Sequence, residues 1–136
     1  MLHTTFAFAK KHNACEEGYK AMAKALGGVR RYGKDTPIPL SLVATKGRGL
    51  SDALWCLRAV MPGEEAERDR FSRLIACAFA EHVLPIFEGS YPKDKRPRHC
   101  IEVAKRYADG LATEDELAAA WDAAWVAAWA AAGDAA

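Results

Sequence analysis

Four histidines and four cysteines are the side chains of this 136-residue chain best suited to ligate a metal or attack a substrate. His12 and Cys15 stand three apart, a spacing that on a helix brings both to one face and within reach of one ion. Zinc takes three or four protein ligands, so the pair alone is not a site. His82 follows Glu81, and His99 precedes Cys100. Neighbours on a helix point about 100° apart, so neither pair chelates unaided. A Cys-His nucleophile needs an activating partner, and nothing local supplies one. The expectation is a protein with no metal, no cofactor and no catalytic residue, and not an enzyme.

The run Gly28-Val29-Arg30-Arg31-Tyr32-Gly33-Lys34-Asp35 approaches the phosphate-binding pattern G-x-x-x-x-G-K-[ST] and fails it twice. Asp35 stands where a magnesium-binding hydroxyl is needed, and its charge would repel phosphate. The run also follows a helical stretch, whereas the motif follows a strand.

The most distinctive polar segment is Ile86 to His99, in which Lys93, Lys95, Arg96 and Arg98 fall within six residues held by Pro92 and Pro97. Such a segment either connects helices through solvent or forms a stiff cationic loop whose arginine forks pair with a partner's carboxylates. On the second reading Arg96 and Arg98, with Lys93, carry the charge pairing. Glu88 and Tyr91 position the loop, and Gly33, Lys34 and Asp35 form a second polar loop nearby. The same cations, with Arg30, Arg31 and Lys34, leave nucleic-acid binding as a third reading, although no recognised DNA- or RNA-binding motif accompanies them.

The elements that must hold these residues read as helices. Length and composition, with 51% hydrophobic and 27% charged residues, fit a single globular domain over residues 1–136. Cys15, Tyr19, Met22 and Leu26 mark an amphipathic helix from His12 to Leu26, stopped by Gly27-Gly28. Val29 to Pro39 reads as a loop, Leu40 to Ala44 as a short helical turn, and the stretch from about Ser51 to Met61 as a helix ended by Pro62-Gly63. A central helix runs from about Glu64 to Phe87, with Phe71, Leu74, Ile75, Ala78, Phe79 and His82 on one face and Pro85 kinking or ending it near Leu84. Glu88 to Pro97 is a linker, and Arg98 to Ala108 a further helix. Thr113 and Glu116 have capping-box spacing and open the last helix, which reaches about Ala132. With no convincing alternation, the fold class is all-α, about five to six helices in one domain.

In the last helix Leu117, Trp121, Trp125 and Trp129 recur every four residues, each about 40° round from the one before. Packing of these tryptophans against the core is the first expectation; a ridge for a partner or a homodimer is the alternative. Alanine makes up fourteen of the thirty residues from Tyr107 on, which favours helix and lets helices approach closely. The run between Asp122 and Asp134 has eleven residues, short of the roughly twenty needed to span a bilayer. Lys10 interrupts the apolar start, and no two cysteines form a C-x-x-C pair. A cytoplasmic protein with no membrane segment is expected. The net charge of +1 conceals an asymmetry: nineteen basic and twelve acidic residues lie up to Arg106, and none and six respectively beyond it.

Five blocks of the chain resemble one family. They are KKHNACEEGYK from Lys10 to Lys20, RYGKDTPIPL from Arg31 to Leu40, LSDALWCLRAV from Leu50 to Val60, IFEGSYPKDKRPRHCIEVAKRYADG from Ile86 to Gly110, and the Ala-Trp tail. The chain is similar in these to the immunity-protein-five-like group of small helical proteins, associated with bacterial polymorphic toxin loci and also met in phage genomes. The resemblance implies a stoichiometric inhibitor that binds a toxin or effector protein and performs no chemistry. Its runner-up is a phage-encoded anti-defence protein that binds a host complex. One departure stands out: similar proteins scatter arginines through the tail, whereas this tail has no Lys or Arg.

Overall fold

The computed structural model describes residues 1–134, which divide into two compact units, Met1–Arg68 and the chain from Asp69 on. The class is all-α, with eight α-helices and one two-stranded sheet among the described residues. That exceeds the five or six helices that periodicity suggests, because short helices carry too few turns to show a repeat.

The first unit begins with β1 (His3–Thr4). Thr5 then caps α1 (Phe6–Lys11), its hydroxyl accepting from the Phe8 N–H at 3.0 Å. Asn13 takes φ +61°, a left-handed conformation that asparagine tolerates, and this ends the first helical run. The helix expected from His12 to Leu26 is therefore α2 (Glu16–Ala25), which starts later. Cys15 is its cap, with Sγ accepting from the Gly18 N–H at 3.4 Å. His12 and Cys15 do not share a helix; the His12 ring stacks on Phe8 at 6.0 Å.

The expected loop from Val29 to Pro39 contains α3 (Val29–Tyr32) and β2 (Ile38–Pro39). β2 pairs antiparallel with β1, Thr4 opposite Ile38. α4 (Leu40–Lys46) and α5 (Leu50–Trp55) follow, and Cys56–Ala59 tighten into a 3₁₀ turn. Leu2, Phe6, Met22, Ile38, Leu40, Val43, Cys56 and Val60 make the core. Thr4 is buried there with its hydroxyl donating to the Ala59 carbonyl at 2.7 Å. Glu64 pins the strand: it accepts from the His3 backbone N–H at 2.6 Å and meets His3 Nδ1 at 2.7 Å. Partial burial opposes ionisation of Glu64, but these bonds and the N-terminal charge outweigh it and hold the carboxyl below its ordinary range.

The second unit holds three helices. α6 (Glu65–Ser90) carries Glu65 and Glu67 in its first turn and belongs to this unit from Asp69 on. α7 spans Arg96–Ala108 and α8 Glu114–Asp134. Of the two outcomes expected at Pro85, a kink or an end near Leu84, the second does not occur: α6 runs on to Ser90. The cost of a helix-interior proline, about 3 kcal/mol, is set against burial of Leu84 and the ion pairs of Glu88 one turn later. The buried side of α6 also differs from the expected stripe: Cys77 and Leu84 are buried, whereas Phe71 and Phe79 are exposed. Three ion pairs hold α6 to α7 in antiparallel order, Arg70–Asp109 at 2.7 Å, Glu81–Lys105 at 2.5 Å and Glu88–Arg98 at 2.6 Å. Cys77 and Leu84 lie on the same face of α6 as Glu81 and Glu88, so the ladder runs beside the buried positions.

Gly110, at φ +72°, makes the left-handed turn that ends α7. Thr113 and Glu116 then form the reciprocal capping box, with bonds of 2.7 and 3.2 Å. α8 packs on α7 through alanine. Ala120 and Ala127 are 5% and 1% exposed, whereas Trp121, Trp125 and Trp129 are 58%, 53% and 65% exposed. The core packing expected of the tryptophans is thus overturned. The alanines allow the closer helix approach, and at about 100° per residue the tryptophans lie on the flank and back of that face. Replacing Ala127 by Leu should lower stability by about 1–3 kcal/mol through overpacking. Trp125→Ala should cost about 1 kcal/mol or less, an order that denaturant unfolding of both variants checks.

Candidate partner-binding surfaces

The cationic segment sits where α6 passes into α7. Glu88 lies in the last turn of α6 and not in a linker, Asp94 N–H donates to the Tyr91 carbonyl at 3.1 Å to make the turn, and Pro97 occupies the first turn of α7. There its missing N–H would have had no intrahelical acceptor. Arg98 grips Glu88 with two parallel bonds of 2.7 and 2.6 Å, and Lys95 Nζ approaches the same carboxylate at 3.6 Å. Arg96 grips Asp94 with bonds of 2.9 and 2.6 Å while its backbone N–H also donates to Asp94. Both guanidinium groups stay about half exposed.

These contacts set the charge states. The hydrogen bond from Arg98 holds the Glu88 carboxyl below the ordinary glutamate range, helped by the charge of Lys95, and that from Arg96 does the same for Asp94. Lowered carboxyl pKa values mean that both clamps are complete at neutral pH and release as pH falls through the lowered midpoints. Tyr91 positions the turn: its ring packs on Phe87 at 5.1 Å, and its hydroxyl donates to the Ala131 carbonyl of α8 at 3.4 Å. Lys93 is exposed and makes no ion pair among the described residues.

Gly33, Lys34 and Asp35 belong to the first unit, whereas Glu88 to Arg98 belong to the second. Gly33 has φ +101°, and a Cβ there would collide with the Thr36 hydroxyl, which donates to the Tyr32 carbonyl at 2.9 Å. Lys34 is tied through its backbone, its carbonyl accepting from Ala7 at 2.9 Å, while its amine lies 3.8 Å from Asp35. With α3 occupying Val29–Tyr32, this segment does not form a loop of converging N–H groups around an anion.

A cluster that sequence reasoning missed surrounds Arg48. Its guanidinium donates to both oxygens of Asp52, at 3.1 and 2.9 Å, to Glu17 at 3.0 Å and to Cys15 Sγ at 3.1 Å. The Arg48–Asp52 spacing of four was the available signal; the reach to Glu17 and Cys15, more than thirty residues away, had none. The cluster borders a cavity of about 320 Å³ walled by Phe6, Tyr19, Met22, Ile38, Val43 and Trp55. Elsewhere the thiols are subdued. Burial pushes Cys56 up to about 11 and raises Cys77 and Cys100, which leaves them mostly protonated near neutrality. No group of three His, Cys, Asp or Glu side chains with metal-binding geometry occurs among the described residues, and none of their helices is long and apolar enough to cross a membrane.

The third surface is the outer side of α8. Trp121 and Trp125 stack with centroids 5.5 Å apart, and Trp129 meets Trp125 edge-on at 6.1 Å. Beneath Trp121 an open cleft of about 510 Å³ runs between α6, α7 and α8, with Glu114, Asp122 and Arg73 on its walls.

The clamp at Glu88 has a direct check. In a carboxyl-resolved NMR titration Glu88 should have its midpoint below 4.5, and Arg98→Ala should return it toward that value.

No curated protein and no solved structure gives a significant match to this chain. A family model described as "Imm-5 like putative immunity protein" matches residues 69–136, half of the chain. The match opens at Asp69, where the second compact unit begins, and so takes in the clamped loop and the tryptophan ridge together. On that match the chain belongs to the Imm-5 like immunity protein family.

Proposed function

We propose that this protein is a stoichiometric inhibitor that binds a toxin or effector in the cytoplasm and neutralises it without chemistry of its own. The observation that carries the reading is the family match, which covers the unit holding the loop from Glu88 to Arg98. The loop suits such a role physically. Two bidentate clamps and Tyr91 hold it in one geometry, so little conformational entropy remains to be lost on binding. Half-exposed guanidinium groups offer donor positions on their outer edges, and Lys93 adds an unpaired cation. In this reading Arg96, Arg98 and Lys93 meet partner carboxylates, Glu88 and Tyr91 set the loop, and Gly33, Lys34 and Asp35 present a second polar surface on the first unit.

Co-expression with the toxin encoded beside its gene should restore growth, and the two proteins should elute as an equimolar complex. Arg96→Ala with Arg98→Ala should weaken that complex by about tenfold or more, with helix content by circular dichroism unchanged. Undiminished affinity and protection in the double variant would remove the loop from the interface.

A further inference from the structure

We propose that the outer side of α8, centred on Trp121, Trp125 and Trp129, docks a partner surface that presents arginine and lysine side chains. The proposal rests on the protein-binding reading and adds the surface and the chemistry it selects.

Three neighbouring tryptophans more than half exposed are costly in water. Together they uncover roughly 400 Å² of aromatic surface, comparable to the largest apolar patch on an ordinary monomer. Their order is local and already formed: one stacked pair and one edge-on pair hold the rings as a ridge. A rigid aromatic ridge is the kind of feature that dominates binding energy at protein interfaces.

The charges around it decide what it fits. From Tyr107 on the chain carries no Lys or Arg. Glu114 and Asp115 lie in the first turn of α8, where the helix dipole accounts for negative charge. Asp122 has no such account: it sits in the third turn, exposed, beside Trp121 and Trp125, with no ion pair among the described residues. Carboxylates next to indole faces suit a cation, which gains from the ring quadrupole and the negative charge together. The chain makes cation–ring contacts of its own, with the Arg58 guanidinium 5.7 Å from the Trp55 ring centroid and that of Arg73 4.7 Å from the Tyr107 centroid. Of the cations near α8, Arg73 shares a cleft with Trp121 and Asp122 and is engaged with Tyr107, and Arg106 lies 3.6 Å from Glu116.

A second copy of the chain fits the ridge less well. Two ridges face to face would bring together two helices that carry carboxylates and no Lys or Arg, and roughly 400 Å² a side is half of what a stable interface buries. A basic partner relieves the repulsion, and its flanking surface supplies the remaining area.

The test titrates the full chain with a nona-arginine peptide, with nona-glutamate as control, following tryptophan fluorescence. Nona-arginine should bind, and nona-glutamate should not. Trp125→Ala and Asp122→Asn should each weaken binding roughly fivefold to tenfold, with Trp125→Phe close to wild type and unchanged circular dichroism certifying the fold. The proposal is overturned if Trp121→Ala with Trp125→Ala binds nona-arginine as tightly as wild type, or if nona-glutamate binds equally. A dimer in sedimentation that Trp125→Ala dissolves would overturn it too, by giving the ridge to a second copy. Failure here with intact toxin protection removes the ridge alone, whereas loss of protection with intact peptide binding removes the inhibitor reading.

Discussion

The second unit depends on how closely α8 can approach α7. Alanine at positions 120 and 127 leaves no side chain beyond Cβ between the helices, so they settle at short range. Once that face is filled with alanine, residues one and five positions along cannot also face inward. Trp121 and Trp125 are placed outside by the same helical geometry that buries Ala120. The exposed ridge is a consequence of placing alanine on the contact face.

A second constraint acts between α6 and α7. The pairs 70–109, 81–105 and 88–98 step along the two helices in opposite directions and fix their register. Exposed pairs of this kind contribute little each. Their effect here is one of orientation: the face of α6 with Glu81 and Glu88 turns toward α7, and Phe71 and Phe79 turn away. Glu88 therefore serves twice, as the last rung of the ladder and as the clamp on Arg98 and Lys95. The cationic loop is ordered because the ladder ends in it.

Much of this was legible in the residues. The capping box at Thr113 and Glu116 and the stop at Gly110 follow local rules that tertiary packing did not override, and the helix expected from Arg98 is there but opens earlier, at Arg96, with Pro97 in its first turn. Other elements were illegible for physical reasons. Two-residue strands at His3–Thr4 and Ile38–Pro39 are too short to alternate, and they exist because distant segments meet. The break at Asn13 depends on one left-handed residue, which no periodicity announces. At the candidate site, the cations and Tyr91 could be picked out by composition, but not that Asp94 and Glu88 would engage the arginine forks. Those pairings are set by the turn from Tyr91 to Lys95.

The clamps bear on what kind of recognition the loop can perform. A free arginine offers all five donors to a partner but must first be ordered. An arginine already bound to a carboxylate has lost that freedom and offers fewer donors at a fixed angle, so it selects by geometry more than by charge. The loop's two arginines are of the second kind, and the two carboxylates that hold them lower its local charge without cancelling it, since Lys93, Lys95, Arg96 and Arg98 face only Glu88 and Asp94. The tail differs: Asp122 makes no ion pair among the described residues and shares a cleft with Trp121. On the proposed readings the family-matched unit carries two surfaces of opposite character, one that would recognise shape through immobilised donors and one that would attract cations. A partner that engaged both would need carboxylates set against the loop and a basic strip set against the ridge, a combination far more selective than either surface alone.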